Sequence, residues 1–109
     1  MEKILDKNIE IAKKIISEEV EKAGYKLDRI ILFGSRARGD YKESSDYDFF
    51  VVIDDKDISR ENYKTILRNI YNRMDLSADV IIKSKLLYNH QQNGTGFLSY
   101  YVNKEGISL

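Results

Sequence analysis

Apolar residues return every third or fourth position at the start of this chain, as Leu5, Ile9, Ala12, Ile16 and Val20 with Ile4 and Ile15 beside them. This spacing predicts an amphipathic helix, which Gly24 ends. The period then changes. Arg29 leads into Ile30-Ile31-Leu32-Phe33, a short run whose length and β-branched content predict a buried strand bounded by Gly34. Residues 34–46 are polar and contain Gly34, Gly39, Ser44 and Ser45, which predicts a loop with one helical turn over Ser35–Arg38. Tyr47–Ile53 predicts a second strand, closed by the acidic turn Asp54-Asp55-Lys56-Asp57.

Ser59 is the expected N-cap of a further helix, in which Tyr63, Ile66, Leu67, Ile70, Tyr71 and Met74 keep helical spacing. Ala78–Ile82 predicts a third strand. Beyond Ser84 the pattern fades, because residues 89–96 are polar and hold two glycines. Phe97, Tyr100 and Tyr101 predict a last helix that stops at Gly106, leaving Ile107-Ser108-Leu109 as an edge strand. Helices and strands in this order predict one α/β domain over 1–109 with a small sheet. The strand order stays open.

Composition narrows the function classes. The 18 basic and 18 acidic side chains cancel, which argues against the basic face of a nucleic-acid binder and makes nucleic acid an unlikely direct substrate. Without cysteine, thiolate nucleophiles and thiolate metal sites are excluded. Residues 1–14 lack the unbroken apolar core of a signal peptide, and no apolar run approaches the roughly 18 residues that span a bilayer. The expected setting is cytoplasmic, with no membrane partner.

Candidate chemistry gathers at the strand ends. Asp46 and Asp48 are two residues apart at the start of a strand, so their carboxylates share a face. Two adjacent carboxylates repel unless a cation lies between them, and Mg²⁺ prefers such oxygen donors together with substrate phosphates. Asp79 sits in the third strand among apolar neighbours, where an unpaired charge is costly to bury. It would complete a three-carboxylate site suited to two magnesium ions if the second and third strands adjoin. Gly34 and Ser35 end the first strand, where a residue without Cβ and a hydroxyl can receive phosphate. Arg36 and Arg38 would add positive charge to that grip.

Each feature alone has a plainer reading. A Gly-Ser pair after a strand is usually a turn, Asp-x-Asp is usually solvated, Asp79 alone reads as a strand residue facing water, and Arg36 and Arg38 read as surface charges. Gly34-Ser35, Gly39, Asp46 and Asp48 at their fixed spacing would occur in about one unrelated chain of this length in ten thousand at ordinary residue usage. His90, the only histidine, reads as a surface residue. Asp54, Asp55 and Asp57 read as a solvated turn because the glycine and glutamate of an EF-hand are misplaced. The eight tyrosines read as core and interface residues.

Gly34-Ser35-Arg36-Ala37-Arg38-Gly39 followed by Ser45-Asp46-Tyr47-Asp48-Phe49-Phe50-Val51-Val52 resembles the signature of the DNA polymerase β-like nucleotidyltransferase superfamily. Within it the chain resembles the minimal nucleotidyltransferase (MNT) domains, commonly paired with HEPN-domain ribonuclease toxins. Asp79 falls where a third carboxylate is expected, and Tyr100-Tyr101-Val102-Asn103-Lys104-Glu105-Gly106 is similar to that group's close.

The resemblance implies a small mixed β-sheet packed with helices, magnesium at Asp46, Asp48 and Asp79, and triphosphate at Gly34 and Ser35. It also implies an antitoxin that transfers AMP from ATP to a hydroxyl, expected to be a tyrosine, of a HEPN-type toxin. Two other functions remain open. A small-molecule nucleotidyltransferase would need an added domain or a dimer to form its pocket, and an antitoxin acting by binding alone would not need the three intact carboxylates.

Overall fold

The computed structural model describes residues 6–91 and 98–109. Ile4, Leu5 and Phe97, read above as helix residues, lie outside them, as do residues 92–96 of the polar stretch. The first helix, α1 (Lys7–Lys22), is capped by Asp6, whose Oδ1 accepts the Asn8 N–H at 2.9 Å. Its inward face is Ile9, Ala12, Ile15, Ile16 and Val20, together with a charged residue, Glu19. Strand β1 (Leu27–Phe33) begins two residues earlier than the apolar run predicts, because Leu27 still pairs with Ile53 across an irregularity in the ladder. The short helix α2 (Ser35–Arg38) and strand β2 (Tyr47–Ile53) fall where the sequence places them.

Ser59 caps α3 (Arg60–Arg73) by accepting the Asn62 N–H at 3.0 Å. Strand β3 (Ala78–Ser84) runs two residues past the predicted end, and α4 (Lys85–Gln91) follows it directly. Helix α5 (Leu98–Glu105) and strand β4 (Ile107–Ser108) close the chain. The sheet order is β3-β2-β1-β4; β1 is antiparallel to β2 and β4, whereas β2 and β3 are parallel and joined through α3. The sheet is therefore mixed.

Alternation gives the sheet two unequal faces. On one, Ile30, Leu32, Phe49, Val51, Ile53, Val80 and Ile82 pack against α1 and α3. On the other, among the described residues, Ile31, Phe50 and Val52 cluster with Tyr88 of α4 and Val102 of α5, with Phe33 and Ile81 at the margin. Burial on both sides explains the unbroken apolar runs of β1 and β2. Phe49 and Phe50 are both fully buried, one on each face, and each contributes roughly 2–3 kcal/mol of burial free energy. Asp48 and Asp79 alternate with Phe49 and Val80, so they lie on the thinly covered face.

The helices are also tied by charge and by hydrogen bonds. Arg73 of α3 donates to Glu18 at 2.7 Å and to the buried Glu19 at 2.9 Å, pinning α3 to α1. Tyr71, read above as part of the apolar stripe, is 42% exposed, and its hydroxyl accepts the Val80 N–H at 2.8 Å on the open edge of β3. The last helix buries Ser99 and Val102, while Tyr101 faces out. No described helix is long and apolar enough to cross a membrane.

Candidate active site

Three chain segments meet at one end of the thin sheet face. The first is the exit of β1, where Gly34 adopts φ +76°, a conformation other residues rarely hold. A Cβ at this position would overlap Asp48 Oδ2. Gly34 is thus needed for two reasons, the turn and the room it leaves for a carboxylate, and the second is invisible in the sequence. The turn delivers Ser35 as the first residue of α2, half-buried beside Asp48's strand.

The second segment is the start of β2. Asp48 pairs with Phe33 of β1 on one side and directly with Asp79 of β3 on the other. Asp46 precedes the strand by one residue and is exposed. Its Oδ1 accepts a short hydrogen bond from Ser77 Oγ, and the Ser77 carbonyl accepts the Tyr47 N–H at 3.0 Å. Ser77 therefore joins the entrances of β2 and β3 and holds Asp46; nothing in its sequence setting singles it out.

Electrostatics follow from this packing. The Asp48 carboxyl is pushed above its ordinary value of 3.8, first by partial burial and then by the negative charges of Asp79 and Asp46, while Arg38 opposes the rise. Asp79 itself is exposed rather than buried among apolar groups, because its apolar neighbours Val80 and Ile82 point to the opposite face. Strand alternation thus gives Asp79 the solvent-facing setting of an ordinary strand residue. The structure thus brings Asp46 and Asp79 within electrostatic reach of Asp48. Among the described residues, no group of three acidic or histidine side chains already converges as a closed metal cage. The donor set still fits magnesium, with hard oxygens on adjacent strands and a mutual repulsion that a divalent cation would relieve.

The two arginines differ. Arg38 is exposed and reaches Asp40 at 3.4 Å and Glu105 at 3.7 Å, so its charge stays near Asp48. Arg36 turns into the loop: its guanidinium lies 4.4 Å from the Tyr41 ring centre and 4.2 Å from that of Tyr47, and its Nη2 donates to the carbonyls of Glu43 and Ser45, each at 3.1 Å. Its Nε is enclosed without an acceptor among the described residues. Away from this end, His90 is exposed on α4, and Asp55 and Asp57 cap the N–H groups of their own turn at 2.6 and 2.8 Å.

The model of the nucleotidyltransferase domain family matches residues 9–93. The chain belongs to that family. It is 44% identical over 63 residues to a Methanocaldococcus jannaschii protein named protein adenylyltransferase MJ0141, covering 58% of this chain and 61% of that one. A second protein of that organism, named protein adenylyltransferase MJ0604, is 32% identical over 68 residues, covering 62% and 65%. The matched region is thus less than two-thirds of either relative.

The fold has solved counterparts. A crystal structure of a toxin–antitoxin with AMP-PNP superimposes with a TM-score of 0.55 at 20% identity, covering 88% of this chain and 70% of that one. A mutant of the MntA-HpeT toxin–antitoxin gives 0.53 at 19% identity, covering 89% and 70%. At these identities the likeness concerns the fold. The mixed sheet packed with helices is that of the polymerase β-like nucleotidyltransferases.

Proposed function

We propose that this protein transfers AMP from ATP to a hydroxyl of a partner toxin, a tyrosine being the expected acceptor, and silences that toxin as an antitoxin. The observation that carries this reading is the register pairing of Asp48 with Asp79, with Asp46 two residues upstream and Gly34-Ser35 alongside. The names of its relatives and the AMP-PNP of a structural counterpart agree with it. Asp46, Asp48 and Asp79 would hold two Mg²⁺ ions, which supply charge neutralisation for the triphosphate and acidify the attacking hydroxyl.

The residues divide the remaining work. Gly34 and Ser35 receive the triphosphate, the glycine leaving backbone accessible and the serine offering its hydroxyl, and Arg38 contributes positive charge. Asp79, exposed on the outer strand, faces the side from which an acceptor would arrive and takes its proton. The acceptor oxygen then bonds to the α-phosphorus as the bond from that phosphorus to the bridging oxygen breaks, and pyrophosphate leaves. Positioning and charge neutralisation account for most of the acceleration in such transfers.

A partner protein as acceptor is favoured by the open setting of the carboxylates, since Asp46 and Asp79 are both exposed and a docked protein can hold its own hydroxyl in line. The test uses ATP labelled on either the α- or the γ-phosphate, incubated with Mg²⁺, this protein and the product of the adjacent reading frame. The reading expects the α-label alone to appear on the partner. A partner carrying only the γ-label would replace nucleotidyl transfer with phosphorylation.

A further inference from the structure

The loop between α2 and β2 carries no apolar residue except Tyr41, yet it must deliver Asp46 to the site at a fixed place. The Arg36 guanidinium lies over the rings of both Tyr41 and Tyr47, at 4.4 and 4.2 Å from their centres. In the same position its Nη2 donates to the Glu43 and Ser45 carbonyls, both at 3.1 Å. The Ser45 carbonyl belongs to the peptide that enters Asp46. The loop is further folded on itself by the Ser45 Oγ, which accepts the Lys42 N–H at 2.9 Å, and by the Lys42 carbonyl, which accepts the Ser45 N–H at 3.0 Å.

We infer that Arg36 is a positioning residue, clamped against Tyr41 and Tyr47, that fixes the chain entering Asp46 and thereby sets Asp46 against Asp48. This inference rests on the proposed transfer reaction for its catalytic consequence, but not for the ordering of the loop. The clamp needs a planar cation. A guanidinium stacks on rings with both faces while its edge donates, whereas an ammonium has neither the plane nor the reach. Tyr47 anchors one side from within the core, because its hydroxyl donates to Asp6 Oδ2 at 2.6 Å. Tyr41 is 49% exposed, so it closes the other side without supporting the core, and its ring is the part that can be removed without unfolding the protein.

The test combines loop cleavage with kinetics. A glutamate-specific protease cuts after Glu43, at the very carbonyl that Arg36 holds. Cleavage there is expected to quicken about tenfold in Arg36→Lys, the scale of losing hydrogen bonds to a charged group, and about fivefold in Tyr41→Ala, the scale of losing an exposed cation–π contact. The kcat for AMP transfer is expected to fall by a similar factor while KM for ATP stays near the wild-type value. Tyr41→Phe keeps the ring and should match wild type in both measurements. Arg36→Lys that raises KM for ATP with loop cleavage unchanged would overturn the clamp and make Arg36 a phosphate ligand. Unchanged cleavage in both Arg36→Lys and Tyr41→Ala would overturn it as well. A wild-type protein that transfers no AMP would remove the proposed function, and the cleavage rates would still decide whether the clamp exists.

Discussion

The carboxylate of Asp48 occupies the space in which a side chain at Gly34 would lie. The turn that opens the phosphate side of the site and the central carboxylate of its metal side are therefore packed as one unit. A side chain added at residue 34 would displace Asp48.

Gly34→Ala tests that relationship against Gly39→Ala. Both glycines have positive φ, +76° and +93°, but a Cβ at Gly39 would meet nothing within 4 Å. Each substitution is expected to cost about 1–2 kcal/mol of backbone strain. Only Gly34→Ala should also lose transfer activity, because it displaces Asp48. Urea unfolding paired with transfer rates separates the two effects, and a fully active Gly34→Ala would deny the coupling.

The raised Asp48 carboxyl makes stability depend on pH. Its folded value lies above the ordinary 3.8 through burial and then through Asp79 and Asp46, so the proton binds the folded state more tightly. The stability it contributes is fully present below 3.8 and is lost as pH rises through the folded value. At neutral pH the ionised group opposes folding. Asp48→Asn should therefore raise the Tm at pH 7 and flatten the acid-side slope, while abolishing transfer. Added Mg²⁺ should raise the Tm of the wild type more than that of the variant. Melting curves from pH 4 to 8 that showed the variant less stable at neutrality would count against this electrostatic picture.

Ser35 is expected to hold the triphosphate rather than the base. Ser35→Ala should weaken ATP binding by roughly 1–2 kcal/mol, the scale of a hydrogen bond to a charged group, and leave AMP binding nearly unchanged. Calorimetry with both nucleotides in the presence of Mg²⁺ measures this. Equal affinity of the wild type for ATP and AMP would contradict a triphosphate grip at Gly34 and Ser35.

Arg73 supplies a contrast far from the site. Its Nη1 lies 2.9 Å from the buried Glu19, and Arg73→Ala would leave that carboxylate paired, among the described residues, with the exposed Lys22 at 3.9 Å. The variant is expected to melt at a lower temperature than the wild type, by less than the loss of a fully buried pair would cause because Arg73 is itself partly exposed. Transfer measured well below the variant's Tm should be unaffected. A selective loss of kcat there would mean that the helix layer reaches the site in a way the sheet does not suggest.

These contrasts also mark what could be read from the sequence. Local signals were sufficient for α2, β2 and the Ser59 cap, because a glycine-bounded turn, an apolar run and a capping serine are decided by near neighbours. The Asp48–Asp79 pairing could be stated only as a condition, since parallel register depends on how α3 returns the chain. Helix α4 was illegible because it buries only Tyr88 among its described residues while Leu86 and Leu87 stay exposed, leaving no apolar stripe. Ser77 and the seat of Arg36 depend on residues brought together from separate segments. Tyr100 and Tyr101 do lie on the last helix, as their spacing predicts, but its buried contacts come through Ser99 and Val102, which the tyrosines do not reveal.

The partner claim is tested most directly by intact-mass measurement of the adjacent gene product after co-expression with this protein or with its Asp46→Asn or Asp79→Asn variant. The account predicts mass increments of one AMP each on the partner with the wild type and none with either variant, both variants remaining folded. A partner of unchanged mass whose toxicity is nonetheless suppressed by the wild type would contradict it, and would make this an antitoxin that acts by binding alone.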